Sequence, residues 1–99
     1  MASSKDYLEF TLDCLSDVGD ITFRQMMGEY ILYYKGRIFG GIYDNRFLVK
    51  PLKAALNMID NPIYQAPYPG GKDMILIEDM ENKEFLCDLI NAMYPELKK

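Results

Sequence analysis

Glu29-Tyr30-Ile31-Leu32-Tyr33-Tyr34-Lys35-Gly36-Arg37-Ile38-Phe39-Gly40-Gly41-Ile42-Tyr43-Asp44-Asn45-Arg46-Phe47-Leu48-Val49-Lys50 is the stretch on which the fold turns. It contains three runs rich in aromatic and β-branched residues, Tyr30–Tyr34, Arg37–Tyr43 and Arg46–Lys50, which is the composition of strands. Lys35-Gly36 and Asp44-Asn45 separate them, and each pair supplies residues that tolerate the positive φ of a two-residue hairpin turn. The segment therefore predicts an antiparallel meander. Alternation places Tyr30, Leu32 and Tyr34 on one face and Ile31 and Tyr33 on the other, so both faces carry apolar surface. One face takes the core, and the second needs a covering element or a partner.

Upstream, Asp20 leads into Ile21-Thr22-Phe23, the start of another strand. Before it, Tyr7, Leu8, Leu12, Leu15 and Val18 recur near helical spacing, Gly19 stops the pattern, and Ser3 followed by Asp6 has the form of a capping box. A helix over about 4–16 follows. Downstream of Pro51, Leu52, Ala55, Leu56 and Ile59 predict a short helix that ends at Asn61-Pro62. The segment Pro62–Lys72 holds three prolines and two glycines and reads as a loop. Met74–Ile77 has strand length, and Phe85, Leu86, Leu89, Ile90 and Met93 define a closing helix before Pro95. The order α-β-β-β-β-α-β-α predicts an α+β fold of two layers, an antiparallel sheet of about five strands packed with about three helices. At 99 residues there is room for one domain, 1–99. Regular βαβ alternation is missing, which argues against a doubly wound parallel sheet and its ligand crevice.

Composition narrows the chemistry. The 49% apolar and 26% charged fractions are those of an ordinary globular chain. No apolar run approaches the roughly 18 residues of a membrane span, and the polar N-terminus lacks a signal h-region, so a cytoplasmic, bacterial address with no membrane partner is expected. There is no histidine, which removes the usual acid/base of neutral pH and the commonest transition-metal ligand. Cys14 and Cys87 are too few and too distant in sequence for a disulfide framework or a zinc site, and each is expected to pack as a small apolar side chain.

The net charge of −4 is unevenly spread. From Arg24 to Lys53 six cations face two anions, a local balance of +4 that leaves −8 for the remainder. Arg24, Tyr33, Lys35, Arg37, Arg46, Lys50 and Lys53 are the candidate partner-binding residues, cations interleaved with aromatics on a sheet. The same residues fit a solvated sheet edge, or a weak, sequence-independent nucleic-acid platform that the acidic total opposes. Other motifs resolve into structure. Lys72 follows Gly70-Gly71 without the rest of a phosphate loop, and Glu78, Asp79, Glu81 and Glu84 cluster where the last helix starts, as its dipole favours. No catalytic, cofactor or metal site is expected.

The motifs Phe23-Arg24-Gln25-Met26-Met27-Gly28, Leu32-Tyr33-Tyr34-Lys35-Gly36, Phe39 and Phe47-Leu48-Val49-Lys50, with the later Pro69-Gly70-Gly71-Lys72, resemble the N-terminal domain of the TfoX/Sxy competence regulators. The resemblance runs from about Tyr7 to Met93. Met27 stands where that family often has an aromatic residue, and Glu29 replaces its second glycine. The resemblance implies a secretion-chaperone-like fold and a non-catalytic regulatory or adaptor role. Full-length regulators carry a helical C-terminal domain with no counterpart after the last predicted helix, so nothing residing there carries over.

The expected function is thus a protein-interaction or regulatory module rather than an enzyme, with nucleic-acid binding through 24–53 as the alternative and an enzyme of unrecognised type as the second. Homodimerisation is expected because three helices cannot shield both apolar faces of the sheet. The competing expectation is that the 62–72 loop folds across the second face through Ile63, Tyr64 and Tyr68.

Overall fold

The predicted meander forms, and it is extended by one strand through a turn that the sequence did not announce. A computed structural model describes residues 3–98. Strands β1 (Ile21–Met26), β2 (Glu29–Tyr34), β3 (Arg37–Ile42) and β4 (Phe47–Val49) follow one another as antiparallel hairpins. Their turns are Met27-Gly28, Lys35-Gly36 and Asp44-Asn45, and all six residues have φ between 51° and 83°. Both central residues of each turn are left-handed, which matches the right-handed twist of the strands they join. Met27 is an uncommon residue there, tolerated at a hairpin tip where it is almost fully exposed.

Around the meander lie α1 (Lys5–Cys14), α2 (Lys53–Met58), β5 (Tyr64–Gln65), β6 (Met74–Leu76), α3 (Lys83–Met93) and a 3-10 turn, Tyr94–Glu96. The fold is α+β, with three helices on a sheet of six strands in the order β1-β2-β3-β4-β6-β5, antiparallel throughout. The extra strand, β5, lies inside the segment expected to be all loop. Pro62 and Pro67 bracket it, and between them Ile63 O accepts from Leu76 N–H at 2.8 Å while Tyr64 and Gln65 pair with β6. Prolines at both ends limit it to a minimal edge strand.

The core lies on one side of the sheet. Leu8, Cys14 and Leu15 of the α1 region, Ala55 of α2 and Leu86, Leu89, Ile90 and Met93 of α3 pack with Tyr30, Leu32, Tyr34, Phe39, Ile42, Phe47, Val49 and Ile75. Each fully buried large side chain contributes about 1.5–3 kcal/mol. Ile31, Tyr33, Gly41, Leu48 and Leu76 alternate to the opposite, helix-free face.

A bulge shapes the middle of the sheet. Leu32 pairs with Gly40 but Tyr33 pairs with Ile38, so Phe39 is the extra residue and both it and Gly40 turn toward the helices. Phe39 is fully buried, edge-on to Phe47 with ring centroids 6.3 Å apart. Gly40 lies so close to β4 that a Cβ would meet the Leu48 carbonyl and the Val49 Cα.

Two helix starts are built differently from the sequence signals. The N-cap of α1 is Ser4, whose hydroxyl accepts from Tyr7 N–H at 3.1 Å, not Ser3. Ser3 is instead engaged by Glu29. Leu52, the N-cap of α2, offers no side-chain acceptor, and the Glu96 carboxylate accepts from Lys53 N–H and Ala54 N–H at 3.2 and 2.9 Å.

Candidate interaction surface

The meander divides the candidate residues between faces and ends. Arg24 stands opposite Ile31 and Tyr33 opposite Thr22, which puts both on the helix-free face of β1 and β2. Lys35 and Arg37 flank the β2–β3 turn. The Lys35 ammonium lies 5.2 Å from the Tyr34 ring centroid and 5.1 Å from that of Tyr94, and the Arg37 guanidinium lies 4.5 Å from Tyr94. Arg37 Nη1 also reaches Leu97 O at 3.5 Å. Tyr34 in turn meets Tyr94 edge-on at 5.4 Å and donates its hydroxyl to Asn91 Oδ1 at 2.8 Å. These cations are stacked on rings that belong to the helical layer.

Arg46 lies at the other end of the meander, since β3 alone spans roughly 20 Å. Its Nε donates to Tyr43 O at 3.1 Å, Nη1 to Gln65 Oε1 at 2.7 Å and Nη2 to Pro67 O at 3.4 Å. It thus pins the segment after β5 against the helix-free face. Tyr68 meets Tyr43 with ring centroids 6.4 Å apart, and the Tyr43 ring lies over Gly41, where a Cβ would touch it. The 62–72 segment therefore covers one corner of that face, through Pro67 and Tyr68. Ile63 and Tyr64 stay exposed at the β5 edge.

Lys50 closes β4, its N–H donating to Phe39 O, and Lys53 opens α2. Among the described residues the one ion pair is Lys83–Asp13 at 3.9 Å, so none of the six cations of 24–53 has a carboxylate within ion-pair distance.

Sequence reasoning missed Glu29. Its Oε1 accepts from Ser3 N–H at 2.8 Å and from Ser3 Oγ–H at 2.5 Å, and its Oε2 accepts from Asp44 N–H at 2.9 Å. Ser3 Oγ accepts from Asn45 N–H at 3.0 Å, and Asn45 Oδ1 accepts from Ser4 N–H at 2.9 Å. One carboxylate thereby joins the start of α1 to the β3–β4 turn. No local pattern signals this role, because the Met27-Gly28 turn before Glu29 is not announced and its partners lie 26 and 15 positions away. Glu29, Asp44, Arg46, Pro67 and Tyr68 also line a shallow surface pocket of about 310 Å³.

Burial pushes the Tyr43 phenol above the ordinary tyrosine range, helped by Tyr68, Glu29 and Tyr33. It also raises Tyr7, and it raises the thiol of Cys14, next to Asp13. Both cysteines are free: Cys14 is buried and Cys87, half-buried on α3, points its thiol at Asp17 O. Glu78, Asp79, Glu81 and Glu84 are exposed around the Asn82 N-cap of α3, with Glu84 in its first turn, and Lys72 is exposed beyond the Gly70 turn. No group of histidine, cysteine and carboxylate side chains able to hold a metal occurs among the described residues. Among them, too, no helix is long and apolar enough to cross a membrane.

No family model matches the chain, and no solved structure matches it. A curated relative does. Over 80 residues the chain is 35% identical to the "Uncharacterized 12.7 kDa protein in trpE 5'region" of Spirochaeta aurantia, an alignment that takes in 81% of this chain and 70% of the relative. At this identity and coverage the chain belongs to the same family as the spirochaete protein.

Proposed function

We propose that the protein is a non-catalytic, cytoplasmic interaction module, comparable in role to the N-terminal domain of the TfoX/Sxy regulators it resembles, and that it docks an acidic protein surface on the helix-free face of its sheet. One observation carries this reading. All three helices pack on one side of the sheet, which leaves Ile31, Tyr33, Ile38, Met74 and Leu76 half-buried on the other side, beside Arg24. A partner would complete their burial, while Arg24, unpaired with any carboxylate among the described residues, supplies charge complementarity at the margin.

Co-purification from the native host, with and without nuclease, tests it. A defined complex should survive nuclease and disappear in Tyr33→Glu, a variant expected to fold because its side chain lies outside the core. Loss of every partner on nuclease treatment would instead favour nucleic-acid binding through 24–53, for which a salt-dependent shift of labelled DNA is the direct readout. That second reading draws on the same cations, but Arg37 and Lys35 already occupy the Tyr94 ring and Arg46 is committed to the Pro67 segment.

A further inference from the structure

The outer edge of β1 is open, and its hydrogen-bonding phase can be read. Lys35 N–H donates to Asp20 O at 3.0 Å, and the pairing runs Thr22–Tyr33, Arg24–Ile31 and Met26–Glu29 up to the two-residue turn. In such a hairpin the pair that closes the turn exchanges both of its backbone bonds, and the pattern repeats every second residue. Thr22, Arg24 and Met26 therefore bond to β2, and the N–H and C=O groups of Ile21, Phe23 and Gln25 point away from the sheet.

Among the described residues no element covers that edge. Five of the six β1 residues are exposed, Phe23 at 46% and Met26 at 49%, and of the usual devices against edge pairing the strand holds no proline or bulge and a single charge, Arg24. The opposite edge, β5, is two residues long.

We infer that β1 pairs antiparallel with β1 of a second copy of this chain, across a two-fold axis at Phe23, to give one continuous sheet. This deepens the interaction reading by naming one partner, and it uses the edge rather than the helix-free face. The register follows from the sequence. With Phe23 opposite Phe23, Ile21 lies opposite Gln25, so all three outward-facing residues pair and six backbone bonds form. Arg24 then stands opposite Thr22 and diagonal to both Asp20 and Arg24 of the other copy, and Phe23 covers its twin on the helical side. Moving the axis to Arg24 sets the two guanidinium groups face to face. Moving it to Thr22 carries the pairing into Gly19 and Asp20, whose φ of 77° and 54° cannot continue a strand. The Phe23 axis alone satisfies the outward hydrogen bonds and the backbone while keeping the two Arg24 side chains from standing directly opposite each other.

Light scattering coupled to gel filtration at micromolar concentration should give twice the 11.5 kDa chain mass. Phe23→Pro deletes an outward N–H that β2 does not use, and should give a folded monomer, whereas Arg24→Pro deletes one that β2 does use and should lower the melting temperature. Hydrogen exchange of the unmodified protein provides a readout free of folding failures: Ile21, Phe23 and Gln25 amides should lose protection on dilution, while Thr22, Arg24 and Met26 keep theirs. A monomeric mass at every concentration, a Phe23→Pro dimer, uniformly fast exchange at Ile21, Phe23 and Gln25, or a foreign strand seated on that edge would each overturn the inference. A monomer that still captures its partner through Tyr33 would leave the interaction module standing.

Discussion

Arg46 and Arg24 are both arginines of the basic segment, yet their surroundings assign them opposite work. Arg46 makes three hydrogen bonds to backbone and side-chain oxygens that hold the Pro67 segment on the sheet, whereas Arg24 is exposed on β1 and makes no hydrogen bond or ion pair among the described residues. Arg46→Ala should destabilise the protein by about 1–3 kcal/mol, and Arg24→Ala should stay within about 0.5 kcal/mol of wild type. Urea midpoints measured side by side decide it, and equal values would refute the assignment. The tyrosines offer a second residue-level check. Tyr43 and Tyr7 are raised in the folded state by burial, so the folded chain holds its phenolic protons after the unfolded chain has begun to release them near pH 10. Their contribution to stability is complete below that pH and falls as pH rises above it. An alkaline absorbance titration should show late-ionising phenols in the folded protein that vanish in urea.

At the level of elements, Gly40 and Glu96 each maintain a feature that no local pattern specifies. Gly40→Ala forces a methyl group into the backbone of β4 and should cost about 2–4 kcal/mol, seen as a large drop in melting temperature, whereas Gly36→Ala meets no neighbouring atom and is penalised only by its positive φ. Glu96→Gln keeps one of the two accepting oxygens, replaces the other with an amide donor and loses the charge at the start of α2, and Glu96→Ala loses both acceptors and the charge. The alanine variant should cost about 1 kcal/mol and the glutamine variant less. These cases mark where the sequence was legible and where it was not. Lys35-Gly36 and Asp44-Asn45 announced their hairpins because their residue types match the φ those turns need. Met27-Gly28 adopts the same geometry, but methionine is no turn residue, so the start of β1 at Ile21 was legible while its end and its turn were not. β5 was hidden among prolines because a two-residue strand needs backbone partners and little side-chain pattern. The basic segment was visible as charge, but its division between a stacked corner at Tyr94, a pinned loop at Arg46 and an open edge at Arg24 depends on contacts up to 60 residues apart. Glu29 was hidden for the same reason: its partners, Ser3 and Asp44, lie 26 and 15 positions away.

For the whole molecule, the decisive asymmetry is that three helices share one side of a six-stranded sheet. The four-stranded meander is local, with consecutive strands and two-residue turns, and such topology forms quickly. What completes it comes late in the chain: Ile75 and Ile77, then Leu86, Leu89, Ile90 and Met93 of α3, and Leu97. During synthesis the aromatic face of Tyr30, Tyr34, Phe39 and Phe47 is therefore made well before the helix that seals it. At about 5–20 residues per second, the stretch from Glu78 to Leu97 takes roughly 1–4 s to translate. For that interval the nascent chain is a sheet whose apolar face still lacks α3, with open edges at β1 and β5. The hairpins, which make folding fast, also create the period in which trigger-type chaperones have something to hold.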